Sequence, residues 1–120
     1  MTALVLSDSA HEPVPGLTLS NGLRPGPAAF AKSLANEVGP RGIRAVGLLP
    51  YRIATDRALE IDARTGDVEA ARARDSADIP LRRYGTLEEF GKVAAILLPP
   101  AASYLTGVTV PVDGGGLRGF

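Results

Sequence analysis

A chain of 120 residues with 13 basic and 13 acidic side chains carries a formal net charge of zero and is long enough for one domain with a modest core. That balance leaves no electrostatic footprint for nucleic acid or for an anionic membrane surface. Cysteine is absent, which excludes a disulfide framework and a thiolate metal site and points to a reducing, cytoplasmic compartment.

In chain order, Met1 to Leu6 lacks the basic region of a signal peptide, and its apolar run is too short for one. The run from Thr2 to Leu6 shows no alternation, which predicts a strand covered on both faces, as in a parallel sheet. Pro13, Pro15 and Gly16 mark a loop. Ala31, Leu34, Ala35 and Val38 recur at helical spacing, and Gly39-Pro40 ends that helix. Its start is open: Pro25 and Pro27 suit a first turn, yet would kink a helix already running from Ser20. Ile43 to Leu49 reads as the second strand, closed by Pro50. Ala54 to Ala77 is charged and alanine-rich, predicting one or two short exposed helices broken near Gly66, with a solvated charged face. Thr86-Leu87-Glu88-Glu89 is a capping box, followed by a stripe of Phe90, Val93, Ala94 and Leu97. That apolar stretch is stopped by Pro99-Pro100, far short of a membrane span. Tyr104 to Val112 is the last predicted strand, and Pro111 inside it argues for a sheet edge. The order predicts an α/β fold over residues 1–120, with about three parallel strands and flanking helices.

Six segments, in order, resemble the short-chain dehydrogenase/reductase family. Leu4-Val5-Leu6-Ser7 resembles the strand that ends in its catalytic serine. About a dozen residues later, Ser20-Asn21-Gly22-Leu23-Arg24 with Ala31-Lys32-Ser33-Leu34-Ala35-Asn36-Glu37 resembles its active-site helix, which carries Tyr-x-x-x-Lys. Gly39-Pro40-Arg41-Gly42-Ile43-Arg44 resembles the next helix-to-strand turn, and Pro50-Tyr51-Arg52-Ile53-Ala54-Thr55 the Pro-Gly-x-Ile-x-Thr segment at the nicotinamide end of the cofactor. Ile79 to Thr86, and Ser103 to Gly107 with Val112 to Gly115, resemble the approach to the penultimate helix and the terminal strand. The resemblance covers the carboxyl-terminal half of the family. It implies a partial Rossmann-type, doubly wound fold and a carbonyl/alcohol oxidoreductase, 3-oxoacyl reductase-like, using NAD or NADP. It places Ser7, Ser20 and Arg24 at the catalytic positions, and Arg24, Pro50, Ile53 and Thr55 at cofactor-binding positions.

Four departures accompany it. Ser20 stands at the tyrosine position, Arg24 at the lysine, Val46 where an asparagine is usual, and Tyr51 where the family has glycine and a side chain would crowd the pocket. In the family the tyrosine donates a proton, the serine holds the substrate oxygen, and the lysine binds ribose and lowers the tyrosine pKa. A phenol near pKa 10 can be drawn toward neutrality by a cation, whereas an alkanol is a far weaker acid. Arg24 can bind ribose hydroxyls but relays no proton. The glycine-rich half is absent from the 120 residues. The expectation is a chain inactive on its own, the alternatives being a non-catalytic oligomerisation or interaction module and a non-functional gene remnant. Its partners would be a second copy or a chain supplying the missing half, with no nucleic acid and no membrane.

Other patterns carry less. Gly114 to Gly119 formally fits G-x-G-x-x-G, but that fingerprint needs a following helix, so a flexible tail is expected. His11 reads as a surface loop residue, and Tyr51 as a poor substitute acid. Tyr84 and Tyr104 match packing positions of the family. Ser7, Ser9 and Ser20 have no positioned base for a hydrolase triad. Asp62, Asp67 and Glu69 lack metal-ligand spacing.

Overall fold

The computed structural model describes residues 1–119. Three strands, β1 (Thr2–Val5), β2 (Ala45–Pro50) and β3 (Val108–Val112), form one parallel sheet in the order β1-β2-β3. Helices α1 (Thr18–Leu23) and α2 (Pro25–Val38) connect β1 to β2. Helices α3 (Asp56–Ala63), α4 (Val68–Ala77) and α5 (Leu87–Leu97) lie between β2 and β3.

Strand β2 is the centre of the core. Ala45, Val46, Gly47, Leu48 and Leu49 are all buried, the pattern of a parallel strand covered on both faces. Gly47 marks a close approach: a Cβ there would lie 2.8 Å from Thr109 Cγ2 and 3.0 Å from Leu6 Cδ1. The same double coverage was expected of β1 and is not found. Thr2 and Leu4 are half-buried while Ala3 and Val5 are exposed, because no described residue packs over that face. Strand β3 occupies the opposite edge, with Pro111 paired to Leu49 as its missing donor requires. It starts at Val108 and not at Tyr104. A 3-10 turn at Pro100–Ala102 and the left-handed Gly107 (φ 66°) delay the strand, and Tyr104 is left fully exposed. Tyr104 is therefore no packing residue among the described residues.

The open start of the first long helix resolves into two helices. Arg24 keeps helical dihedrals and donates its N–H to the Ser20 carbonyl at 2.9 Å. Pro25 and Pro27 bring no N–H, so the ladder breaks there and Pro25 opens α2. Ala31, Ala35 and Val38 then bury one face of α2 against β2, with Leu34 half-buried beside them.

Side-chain caps define the remaining helices. Thr55 Oγ1 accepts from Ala58 N at 3.1 Å to start α3, and Asp67 Oδ1 accepts from Ala70 N at 3.0 Å to start α4 after the break at Gly66. The capping box of α5 forms as predicted: Glu89 N donates to Thr86 Oγ1 at 3.1 Å, and Thr86 N to Glu89 Oε2 at 2.8 Å. Arg83 also donates to Glu89 Oε1 at 2.6 Å, and that bond holds the Glu89 carboxyl down at about 2. At the other end of α5, Arg44 gathers four carbonyls. Its Nη1 reaches the oxygens of Leu97 (3.0 Å) and Leu105 (3.2 Å), and its Nη2 those of Leu98 (2.7 Å) and Pro99 (3.0 Å). This one side chain anchors α5 and the approach to β3 to the start of β2. No helix among the described residues is long and apolar enough to cross a membrane.

Candidate functional site

The carboxyl ends of the parallel strands meet where an open α/β sheet usually binds its ligand. Leu6 is buried after β1 and delivers Ser7 to the cap of a 3-10 turn, Asp8–Ala10. Ser7 Oγ accepts from Ser9 N at 3.3 Å and from Ser9 Oγ at 3.1 Å. Ser9 Oγ is in turn 2.9 Å from Ser20 Oγ on α1. Ser7 and Ser20 thus share a row of hydroxyls whose link is the buried Ser9. Spacing alone does not give Ser9 that role; the usable signal is Ser-x-Ser at the start of a tight turn, which turns both hydroxyls to one side. Arg24 lies one helical turn beyond Ser20, exposed at the break between α1 and α2.

The predicted cofactor segment follows β2 and is held from outside. Ala54 N donates to Gly85 O at 2.8 Å and Gly85 N to Arg52 O at 3.0 Å, pairing buried Ile53 with Gly85. Pro50 ends the strand half-buried, and the Thr55 hydroxyl is engaged in capping α3. Tyr51 packs on Gly116, where a Cβ would fall 2.6 Å from the ring, so its bulk is taken up by the turn after β3. The Arg52 guanidinium lies 5.4 Å from the centroid of that ring, on a left-handed backbone (φ 46°).

The charged stretch over α3 and α4 is more than a solvated face. Asp62 is 1% exposed, and its Oδ1 accepts from the Tyr84 hydroxyl at 3.1 Å. The same hydroxyl lies 3.4 Å from Asp75 Oδ2, which Arg52 Nη2 meets at 2.9 Å. Arg72 stands over the Tyr84 ring at 4.9 Å, with Nε 3.7 Å from Asp62 Oδ2. Burial pushes the Tyr84 phenol up to about 12, Arg52 opposing and the bonded Asp62 adding to the rise. An acid that weak tethers α3 and α4 to the loop before α5; it does not deliver protons near neutrality.

The turn after β3 is likewise not a loose tail. Asp113 accepts from Gly115 N (2.9 Å) and Leu117 N (2.8 Å), and Arg118 N donates to Glu12 Oε2 at 3.0 Å. Gly114 adopts φ 64°, and a Cβ on it would lie 2.8 Å from Ile79 Cγ2. His11 is exposed and bonds Thr109 Oγ1 at 2.7 Å, a link between loop and strand.

These elements enclose a cavity of about 380 Å³ bounded by Asp8, Tyr51, Arg52, Asp62, Asp75 and Leu117. Asp8 is 3% exposed; burial first, then Asp113 and Glu12, raises its carboxyl to about 7. Among the described residues no group of three or more His, Cys, Asp or Glu is placed to hold a metal ion.

A parallel sheet with helices between its strands is the Rossmann-type, doubly wound arrangement. The family described as Enoyl-(Acyl carrier protein) reductase matches residues 3–116. Protein FixR of Bradyrhizobium diazoefficiens is 43% identical over 88 residues, covering 73% of this chain and 28% of its own. The 3-oxoacyl-[acyl-carrier-protein] reductase FabG of Pseudomonas aeruginosa is 42% identical over 86 residues, covering 72% and 32%. Among solved structures, L-sorbose reductase from Gluconobacter frateurii, complexed with NADPH and L-sorbose, superposes with a TM-score of 0.91 at 25% identity, covering 98% of this chain and 48% of its own. The chain belongs to the short-chain dehydrogenase/reductase family. It spans about a third of the length of these curated relatives and about half of that solved structure.

Proposed function

We propose that this chain forms the substrate-side and nicotinamide-end wall of an NAD- or NADP-dependent carbonyl/alcohol oxidoreductase site, 3-oxoacyl reductase-like, and that alone it does not complete the reaction. The carrying observation is Ser20, which stands at the family's tyrosine position and is hydrogen-bonded through Ser9 to Ser7. Ser7 retains a hydroxyl able to hold a substrate oxygen. Ser20 offers an alkanol where a phenol is needed, and a neighbouring cation shifts a pKa by a few units at most, too few to make it an acid near neutrality. Arg24 can donate to ribose hydroxyls and supply positive charge, but it stays protonated and relays nothing. When bound, the dinucleotide would supply the hydride; Pro50, Ile53 and Thr55 are the residues that would flank its nicotinamide.

The test is NADH and NADPH fluorescence titration of the purified chain, combined with an assay of nucleotide oxidation against 3-oxoacyl thioesters. Weak or absent nucleotide binding and no turnover are expected. Turnover by the chain alone would refute the reading, most directly if Ser20→Ala left it unchanged. A second reading, an interaction module in the cytoplasm pairing with a second copy or with a chain carrying the glycine-rich half, is favoured by exposed apolar side chains. Leu19, Leu23 and Phe30 on α1 and α2, and Leu87 and Ile96 on α5, are each more than half exposed. A dimer by size exclusion with no nucleotide bound would support it.

A further inference from the structure

We infer that the cavity at the strand ends is a site for a small organic ammonium ion, anchored by the carboxylate of Asp8. The inference rests on the family reading only in placing this cavity on the substrate side; the ligand class comes from its charges. Asp8 lines the cavity, is 97% buried by its 3% exposure, and its Oδ1 meets no hydrogen-bond donor among the described residues. A buried carboxyl oxygen without a donor is costly unless the group is neutralised or a cation meets it.

The remaining charges leave that cation unsupplied. Of the cavity's arginines, Arg52 and Arg74 both reach Asp75, at 2.9 and 3.2 Å, and Arg118 reaches Glu12 at 3.8 Å. Asp62 is met by the Tyr84 hydroxyl and by Arg72. Asp62 Oδ2 also lacks a hydrogen bond, but it faces Arg72 at 3.7 Å, so Asp8 is the buried carboxylate left with no cation beside it among the described residues. The ionisable groups that act on it, Glu12 from the neighbouring loop and Asp113 from the turn after β3, are both negative. An ammonium head brings one positive charge and three N–H donors, and a site of about 380 Å³ suits a molecule at the small end of the ligand range. A metal ion fits less well, since no three ligating side chains converge among the described residues.

The test uses the full chain without nucleotide, so its outcome is independent of whether the family's reduction is carried out. Binding of phenethylammonium is compared with that of the neutral isostere 2-phenylethanol by NMR titration at pH 5.5 and pH 8. The ammonium should bind at least about tenfold more tightly than the alcohol at pH 8 and lose most of that margin at pH 5.5, where Asp8 takes up its proton. Asp8→Asn should abolish the preference, and Glu37→Gln, an exposed change on α2, should leave it intact. In case Asp8→Asn does not fold, the wild-type Asp8 carboxyl ¹³C resonance gives a second reading, since its titration midpoint should fall when the ammonium is added. Equal binding of ammonium and alcohol, an unmoved midpoint, or a matching response to magnesium or calcium chloride would each overturn the inference.

Discussion

Arg44→Ala isolates one anchor of the fold. The guanidinium donates to four carbonyls, two part-buried (Leu97 and Leu105) and two exposed (Leu98 and Pro99), at the end of α5 and along the approach to β3. A hydrogen bond to a charged group contributes ~1.5–3 kcal/mol net, and a cation at a helix carboxyl end adds ~0.3–1 kcal/mol. The four bonds are not additive, because the oxygens left exposed are taken up by water, so Arg44→Ala should cost ~3 kcal/mol. For a domain of this size that is a fall in Tm of roughly 12 °C, read by circular dichroism or calorimetry. Arg44→Lys should recover only about a third of the loss, since a point ammonium with three donors cannot span four fixed oxygens. A Tm for Arg44→Ala within about 2 °C of wild type would show that water replaces the clamp at no cost and would refute the reasoning.

Three further outcomes follow from the same geometry. Tyr84→Phe leaves Asp62 Oδ1 buried without its donor and should cost ~1–2 kcal/mol in urea unfolding; a double-mutant cycle with Asp62→Asn should show coupling above ~0.5 kcal/mol. Thr86→Ala removes the hydroxyl half of the capping box and should cost ~1 kcal/mol in the same assay. Asp8 titrates near 7 in the fold against an ordinary 3.8, so the folded chain binds more protons than the unfolded chain between those values. Stability should therefore fall as pH rises from about 4 to about 7, by ~2 kcal/mol after allowance for solvent reaching the cavity, and then level off. Asp8→Asn should flatten that segment of the stability–pH curve, and an unchanged slope would show that Asp8 is not its source.

Much of this fold is legible in single residues. The buried face of α2 follows from Ala31, Leu34, Ala35 and Val38 because a helix repeats every 3.6 residues, and the capping box places the start of α5 without tertiary information. Pro111 reports its edge position because a missing N–H is intolerable in a central strand. Burial that depends on partners far away in sequence is not legible in this way. Asp62 looks like one more charge on an exposed helix; only Tyr84 and Arg72 folding onto it make it interior. Tyr104 belongs to a β-rich run, yet Gly107 turns the chain and leaves it in solvent. The turn after β3 reads as loose glycine, and it is Asp113, by accepting two backbone N–H groups, that fixes it. At the candidate site, the spacing of Ser7 and Ser20 is visible in the sequence, whereas the link through Ser9 needs the 3-10 turn to be in place.

That link limits what the three hydroxyls can offer outward, by proton count. A serine hydroxyl has one hydrogen. Ser9 directs its hydrogen at Ser7, so at the 2.9 Å contact the hydrogen between Ser9 and Ser20 must belong to Ser20. Ser20 is then turned inward, and Ser7, already accepting twice, is the member with a hydrogen free to point away from the row. If the Ser9 hydroxyl rotates to donate to Ser20, the polarity reverses and Ser20 becomes the free end while Ser7 loses its side-chain donor. The three side chains behave as a single dipolar wire with one live terminal at a time. An oxygen placed beside them is polarised from one side only, where a serine and a tyrosine acting separately would grip it from two.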